Sequence, residues 1–226
     1  MRLDRIGPKY ELTHPMNPWV KKSILVACAV LLLFGGLSSW GAETDQTLVA
    51  EREKHFKQWR QERDEFLKTH QRSPLTPEGK KKFQCLHYYP FDPKYIFVGE
   101  IERYVFAHDD PKYYATFLTN KGTNKRYIRY GKLHFQMGGK ELAIEVYKSL
   151  LSDALFIPFK DKTNGNDTYE GGRYIDAEIL PGYKMILDFN TAYFPICAYN
   201  DQLVCILPPK ENMFDIEIRA GERNAR

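Results

Sequence analysis

Two hydrophobic periodicities divide the chain beyond its N-terminal segment. From Thr47 to about Thr69 the apolar residues recur at helical spacing, which predicts one amphipathic helix. From Tyr88 onward, apolar and polar residues alternate in short runs separated by turn-forming residues, a pattern typical of antiparallel strands. The apolar face of the helix consists of Leu48, Phe56, Trp59, Phe66 and Leu67.

The segment "SPLTPEG" breaks the helical pattern and starts a second, shorter helix. Thr76 is a favourable N-cap residue, and Pro77 and Glu78 suit the first helical turn. We therefore predict one or two helical turns over residues 77–84.

The clearest strand signal is a hairpin around Gly138 and Gly139. Apolar and polar residues alternate on both sides of this pair, and two glycines suit a two-residue hairpin turn. Gly99 lies in a strand-like run and is predicted to form a bulge. The alternation predicts strands over 94–106, 132–137, 141–148, 155–159, 174–179, 185–189 and 214–219.

These elements predict a mainly β protein of the α+β type. An N-terminal helix is followed by an antiparallel β-sandwich or a partly open β-barrel, since several short strands with turn signals between them favour these folds. We divide the chain into a signal peptide (1–42), a helical segment (43–86) and an antiparallel β domain (87–226).

The N-terminal segment has the three parts of a signal peptide. Lys21 and Lys22 precede an apolar run over 24–37, and small residues follow up to Ala42. A membrane span needs about 20 apolar residues, so this run is short for one. We predict cleavage after Gly41, which leaves a periplasmic or secreted protein with no stable membrane span. The alternative is an inner-membrane anchor formed by 24–37.

The start codon has two candidates. Met16 begins "MNPWVKK", a charged region of ordinary length, so residues 1–15 are interpreted as a start-site artefact.

Export gives the cysteines a predicted role, because disulfides persist outside the cytoplasm. Cys197 and Cys205 lie eight positions apart across a turn at Asn200 and Asp201. A disulfide closing this loop would stabilise the fold by about 2–3 kcal/mol. Cys85 is predicted to be a free, buried thiol.

The charge of the chain gives no argument for nucleic-acid binding. The net charge is +4, but residues 1–42 contain five basic and two acidic residues, which leaves 28 basic and 27 acidic residues in the remainder. A nearly neutral chain of mixed charge lacks the basic surface that nucleic acids require.

Arg173 is the first candidate for chemistry. It is in register with Ile175 and Ile179, so it points to the apolar side of its strand. A buried arginine needs a carboxylate, and Asp188 on the following strand is available. Arg173 and Asp188 either form an internal ion pair or form a pocket floor that binds an anionic group.

The stretch "LDFNTAYFPICAYNDQLVC", residues 187–205, holds further polar and aromatic candidates. Asp188 and Asn190 share one face and either cap a turn or line a pocket mouth. Tyr193 and Tyr199 supply aromatic surface, which in β proteins is more often core. We hypothesise that the stretch forms one wall of a pocket with Arg173 at its base.

Motifs for metal, phosphate and acyl-transfer chemistry are missing from the sequence. The loop 161–170 is rich in oxygen ligands, but its spacing does not match a calcium loop, and a solvated turn is the better interpretation. Zinc motifs, phosphate loops and the Gly-x-Ser-x-Gly motif are absent. The sequence therefore predicts no metal and no cofactor, and it identifies no catalytic residue.

Three linked segments of the C-terminal half carry a resemblance to a known family. They are "FKDKTNGNDTYEGGRYIDAEI", "ILDFNTAYFPICAYN" and "CILPPKENMFDIEIRAGE". Over residues 156–222 they resemble the bacterial and archaeal family called domain of unknown function 1684. The chain departs from the usual pattern at Phe194 and Ile196, and it lacks the forkhead-associated-like segment of longer members.

The resemblance implies no known reaction, because none is established for that family. It implies that Arg173, Asp188, Asn190, Glu211 and Asn212 belong to one constellation. The candidate ligand-binding residues are thus Arg173, Asp188, Asn190, Tyr193, Tyr199, Asn200, Glu211 and Asn212.

Three functions fit these observations. The preferred one is an exported β domain that binds a small polar or anionic ligand. The first alternative is a hydrolase with Asp188 or Glu211 as general base and Arg173 as charge stabiliser. The second is a structural envelope protein whose polar residues only connect strands. The sequence gives no signal for an oligomeric state.

Overall fold

Two helices precede the sheet in the computed structural model, which describes residues 46–225. Helix α1 spans Gln46–Thr69 and helix α2 spans Pro77–Lys82. The Thr76 hydroxyl accepts a hydrogen bond from the backbone N–H of Gly79 at 3.0 Å, which caps α2 as the sequence predicted. The predicted signal peptide lies outside the described residues.

Ten strands follow, joined by turns and short 3-10 helices. All named strand pairs among the described residues are antiparallel. The strands are β1 (His87–Tyr88), β2 (Ile96–Arg103), β3 (Tyr114–Leu118), β4 (Asn124–Met137), β5 (Lys140–Lys148), β6 (Leu155–Phe159), β7 (Arg173–Asp176), β8 (Glu178–Leu180), β9 (Lys184–Asp188) and β10 (Glu222–Arg223).

Seven of these strands form a nearly closed barrel. Their order is β7-β6-β5-β4-β2-β9-β8, and β3 adds to β4 outside this path. Only Ala177 separates β7 from β8 along the chain, so the two ends of the sheet meet at one point. The predicted fold class, a helix followed by an antiparallel β-sandwich or partly open barrel, is confirmed in its barrel form.

The apolar face of each strand fills the inside of the barrel. Because side chains alternate between the two faces of a strand, the inward residues of all the strands meet in one core. A second cluster lies between the outer face of the sheet and the C-terminal segments, and a third lies under α1. The central core includes Ile101, Leu133, Ile144, Val146, Ile157, Phe159, Ile175, Met185, Leu187 and Phe189.

The hairpin prediction is confirmed, but the bulge prediction is wrong in position. Gly138 and Gly139 connect β4 to β5 with positive φ angles of 62° and 73°, as a tight hairpin requires. Gly99 pairs with Met185 in an uninterrupted ladder. The register shift falls instead after Arg129 in β4.

The strand predicted over 214–219 is absent. Phe214 and Ile218 are buried as the alternation requires, but the segment joins no ladder. Its backbone bonds instead to the loop after β6: the Phe214 N–H donates to the carbonyl oxygen of Lys160 at 2.8 Å, and the Lys162 N–H donates to the carbonyl oxygen of Ile216 at 2.9 Å. Further along the segment, the Arg173 side chain donates to the carbonyl oxygens of Ile218 and Ala220.

The predicted disulfide and the predicted burial of Cys85 are wrong, whereas Cys85 is free as predicted. Cys197 and Cys205 are free thiols, and Cys85 is exposed rather than buried. The backbone N–H of Cys197 donates to the sulfur of Cys205 at 3.1 Å, so the two residues contact each other through a hydrogen bond instead of a covalent bond. Cys85 follows α2 in a short linking segment that contributes Leu86, not Cys85, to the core.

Neither of the two helices within residues 46–225 is long and apolar enough to cross a membrane.

Candidate functional site

The residues singled out in the sequence are distributed over several hydrogen-bond networks. Arg173 lies at the C-terminal segment, Asp188 and Asn190 lie under α1, and Asn212 lies on β5. Glu211 lines an open cleft. The predicted constellation is therefore divided among different parts of the fold.

Arg173 forms the predicted internal ion pair, but with a different partner. Its side chain is fully buried, and Nη2 donates to Oδ2 of Asp161 at 2.5 Å and to the carbonyl oxygen of Ile218 at 2.7 Å. The expected pairing with Asp188 is wrong, because the loop after β6 returns Asp161 to the start of β7. Arg173 thus joins the barrel to the C-terminal segment.

The loop that carries Asp161 is a solvated turn only in part, with Lys162, Gly165, Asn166 and Glu170 exposed. Asp161, Thr163 and Thr168 are all buried. The Asp161 carboxylate accepts a hydrogen bond from the backbone N–H of Thr163 at 2.7 Å, and the Thr163 and Thr168 hydroxyls are 2.8 Å apart. The oxygen-rich sequence is consumed by bonds within the loop and to Arg173.

Asp188 pairs with α1 instead. Nε of Arg52 donates to Oδ2 of Asp188 at 3.0 Å, and Nη1 of Arg52 donates to Glu178 at 2.8 Å. The other oxygen of Asp188 accepts from the backbone and side-chain nitrogens of Asn190, both at 2.9 Å. Asn190 also bonds the backbone of Asp92. Turn capping at Asp188 is thus confirmed.

A second carboxylate under α1 has no counterpart in the sequence predictions. Glu222 accepts from the Tyr199 hydroxyl at 2.5 Å, from the backbone N–H of Phe194 at 2.9 Å and from Arg63 at 3.3 Å. Burial raises the pKa of Glu222 from its ordinary value. The Tyr193 hydroxyl donates to Asp176 at 2.8 Å, and its ring lies 4.6 Å from the Arg63 guanidinium.

The spacing along α1 contained a signal for these contacts. Arg52, Phe56, Trp59 and Arg63 follow one another at helical intervals of four, three and four residues. Two arginines therefore belong to the apolar face, where they need carboxylate partners. The partners, Asp188 and Glu222, come from the distant C-terminal half.

The two remaining asparagines form hydrogen bonds with backbone groups. Asn212 is fully buried; its side chain accepts from the backbone N–H of Glu145 at 2.7 Å and donates to the carbonyl oxygens of Glu145 and Pro158, both at 2.9 Å. Asn200 donates to the carbonyl oxygen of Pro74 at 3.1 Å. Asn212 fixes the turn Lys210–Asn212 on β5 and thereby places Glu211 at the surface.

An open cleft lies beside Glu211. Its volume is about 580 Å³, a size that suits a small molecule. Arg129 of β4 faces Glu211, with Nη2 and Oε1 3.8 Å apart. We call this the Arg129 cleft. Its lining residues are Tyr104, Phe106, Pro111, Lys112, Tyr114, Arg129 and Glu211.

Two buried polar groups adjoin the Arg129 cleft. Oε1 of Glu145 accepts from the Tyr104 hydroxyl at 2.7 Å and lies 3.4 Å from Nζ of Lys132, whereas its Oε2 is buried and has no partner within residues 46–225. The Tyr147 hydroxyl is likewise buried and unpartnered in that part of the chain.

The strand register explains why these groups come together. Tyr147 of β5 lies directly opposite Arg129 of β4, and Glu145 lies opposite Lys132. Burial raises the pKa of Tyr147, and the charge of Glu145 raises it further; Arg129 and Glu211 also act on it. The Tyr147 hydroxyl is therefore electrostatically coupled to the two charged residues of the cleft.

Within residues 46–225, no group of three or more His, Cys, Asp and Glu side chains is placed to hold a metal ion.

The sequence of this chain matches that of a known protein family. Residues 81–223 match the family described as "Protein of unknown function (DUF1684)". The chain belongs to this family. The match begins after α1, so the family region contains Asp188 and Glu222 but not their partners Arg52 and Arg63.

A solved structure is similar to this member of the DUF1684 family. It is the solution NMR structure of an uncharacterized protein from Haloarcula marismortui, which is 31% identical with a TM-score of 0.61. The similarity covers 79% of this chain and 97% of the archaeal chain. No curated protein matches the chain.

Proposed function

We propose that this DUF1684 protein is an exported β domain that binds a small polar ligand with an anionic group in the Arg129 cleft. The observation that carries the proposal is the Arg129 guanidinium, which lines the cleft and lies 3.8 Å from the Glu211 carboxylate, too far for a hydrogen bond. Oε2 of Glu145 and the Tyr147 hydroxyl are buried and do not themselves line the cleft.

The charges of the cleft favour an anion. Among the residues that line the cleft, Arg129 and Lys112 are basic and only Glu211 is acidic. The 3.8 Å separation of Arg129 and Glu211 is longer than a hydrogen bond, so the guanidinium remains available for a carboxylate or phosphate group. Tyr104 and Tyr114 add aromatic surface for the apolar part of the ligand.

Export is part of the proposal and is supported by the sequence. The charged, apolar and small-residue parts of 1–42 have the order of a signal peptide. The ligand is therefore expected in the periplasm or the extracellular medium.

Binding is tested with 4-hydroxybenzoate, which combines a carboxylate, a ring and a hydroxyl group. NMR titration of the labelled protein should shift the amide signals of Arg129, Glu211 and Tyr147. Arg129→Gln should weaken binding by about tenfold or more, since a charged hydrogen bond contributes about 1.5–3 kcal/mol. Native mass spectrometry of the purified protein would in parallel identify any retained small molecule.

Arg219→Gln is the matched control, because Arg219 is half exposed and pairs with Glu217 outside the cleft. Equal binding by the wild type and Arg129→Gln, or shifts confined to other residues, would overturn the cleft as the binding site. Absence of both a retained molecule and a titration response would overturn the binding function itself.

A further inference from the structure

Two buried thiols lie side by side on the outer surface of the barrel. Cys197 belongs to the turn Ile196–Ala198, and Cys205 lies on the segment that bridges β3 through Ile206 and Thr119. Their exposed fractions are 8% and 5%. The backbone N–H of Cys197 donates to Sγ of Cys205 at 3.1 Å, which keeps the second sulfur beside the first residue.

A neighbouring tyrosine bonds the Cys197 sulfur. The Tyr169 hydroxyl donates to the same sulfur at 3.8 Å. The pair therefore receives two hydrogen bonds, one from a backbone N–H to the sulfur of Cys205 and one from a hydroxyl to the sulfur of Cys197.

We propose that Cys197 and Cys205 bind one monovalent soft cation, Cu(I) or Ag(I), between their two sulfur atoms. Thiolates select soft ions of this class. A structural zinc site needs four ligands, and no third ligating residue adjoins this pair among residues 46–225. Two sulfurs suffice for Cu(I) and Ag(I), which accept linear coordination. The site is separate from the Arg129 cleft and does not depend on it.

The binding step balances in charge. Both thiols release a proton, two metal–sulfur bonds form, and the metal keeps its oxidation state. The bound centre carries one negative charge. The backbone N–H of Cys197 and the Tyr169 hydroxyl are the outer hydrogen-bond donors to the sulfurs. Tyr169 is thus a positioning residue, and its loss should weaken metal binding by about 10–100-fold.

Metal titration of the reduced protein under anaerobic conditions tests the proposal. Ag(I), followed by native mass spectrometry, should add one ion per chain, and Cu(I) should compete for the same equivalent. Cys197→Ser and Cys205→Ser should each lose this ion. Tyr169→Phe should keep the stoichiometry but reduce the affinity, which a merely structural tyrosine would not do.

Cys85 provides the matched control, because it is an exposed free thiol elsewhere in the fold. Cys85→Ser should bind one ion like the wild type. Loss of the ion in Cys85→Ser, or its retention in Cys197→Ser, would overturn the assignment, as would a reduced wild-type protein that takes up no ion. X-ray absorption spectroscopy of the metal-loaded wild type measures sulfur coordination directly. This result does not depend on whether the variants fold.

Discussion

Arg52 and Asp188 form a buried ion pair between residues that are 136 positions apart, with Nε and Oδ2 separated by 3.0 Å. Asp188 lies in the family region and ends β9, whereas Arg52 lies on α1, before that region begins. An ion pair therefore attaches the helix to the barrel, in addition to the packing of its apolar face.

Removing the arginine should destabilise the protein strongly. Arg52→Met leaves the Asp188 carboxylate buried without its cation, and breaking a buried pair on one side costs about 3–5 kcal/mol. The free energy of unfolding in urea measures this. Lys57→Met on the exposed side of α1 should change it by less than about 0.5 kcal/mol. Similar losses in both variants would argue against a specific role for the buried pair.

The pairing of Arg173 with Asp161 is tested by rescue. Arg173→Leu should lower the free energy of unfolding by about 3–5 kcal/mol, because Asp161 then remains buried and unpaired. Adding Asp161→Leu should recover part of this loss but not all, since the carbonyl groups of Ile218 and Ala220 stay without their donor. Adding Asp188→Leu instead should deepen the loss. Recovery with Asp188→Leu would contradict the structure.

His55 should make stability depend on pH. Burial and the nearby charge of Arg52 lower the pKa of His55 from 6.5, and the carboxylates of Glu178, Asp188 and Glu62 oppose this shift. The folded state then binds fewer protons than the unfolded state, so stability is full above about pH 6.5 and falls as the pH drops towards the lowered folded pKa.

Urea unfolding at about pH 7.5 and about pH 5.5 measures this dependence. His55→Gln should lose less stability than the wild type over that interval, while the same change at exposed His87 should not alter it. The raised pKa of Glu222 stabilises the folded state as the pH falls, opposite to the effect of His55. Because Glu222 is present in both the wild type and the variant, its contribution cancels when their pH dependences are compared. An unchanged pH dependence in His55→Gln would refute the prediction.

Removal of the hydroxyl group should have opposite effects on the stability of the protein at two tyrosines. The Tyr147 hydroxyl has no partner within the described residues, so Tyr147→Phe should leave stability unchanged or raise it by about 1 kcal/mol. The Tyr174 hydroxyl donates to the carbonyl oxygen of Ile206 at 2.6 Å, so Tyr174→Phe should cost about 1–3 kcal/mol. Thermal unfolding distinguishes the two. A large loss in Tyr147→Phe would remove the argument for an unsatisfied group at the cleft.

The mature N-terminus tests the export proposal. Mass spectrometry of the protein from the periplasm or medium should find a chain beginning at Ala42 or Glu43, because cleavage after Gly41 places a small residue, Ser39, three positions back. A membrane-bound chain that keeps residues 24–37 would show an anchor instead.

Local patterns in the sequence determined the fold class, the two helices and most of the barrel strands, but not β3 or the irregular segment 214–219. The hairpin at Gly138 and Gly139 was predictable because positive φ angles at both positions favour glycine, and the helix and the inward residues followed from periodicity. The burial of Arg173 followed from its register with Ile175. Each of these properties depends on the residue and its neighbours along the chain.

The partners of the buried charges were decided only by the tertiary structure. Asp161, rather than Asp188, reaches Arg173 because a loop returns to the barrel, and Arg52 reaches Asp188 from a distant helix. Strand alternation places Glu145 and Tyr147 on the face opposite the barrel core. Tertiary packing nevertheless buries both: Asn212 and Tyr104 bond Glu145, and Tyr147 lies in the second hydrophobic cluster. Periodicity determines the face of an element on which a side chain lies. Long-range packing determines which segments cover that face and which charged group pairs with the side chain.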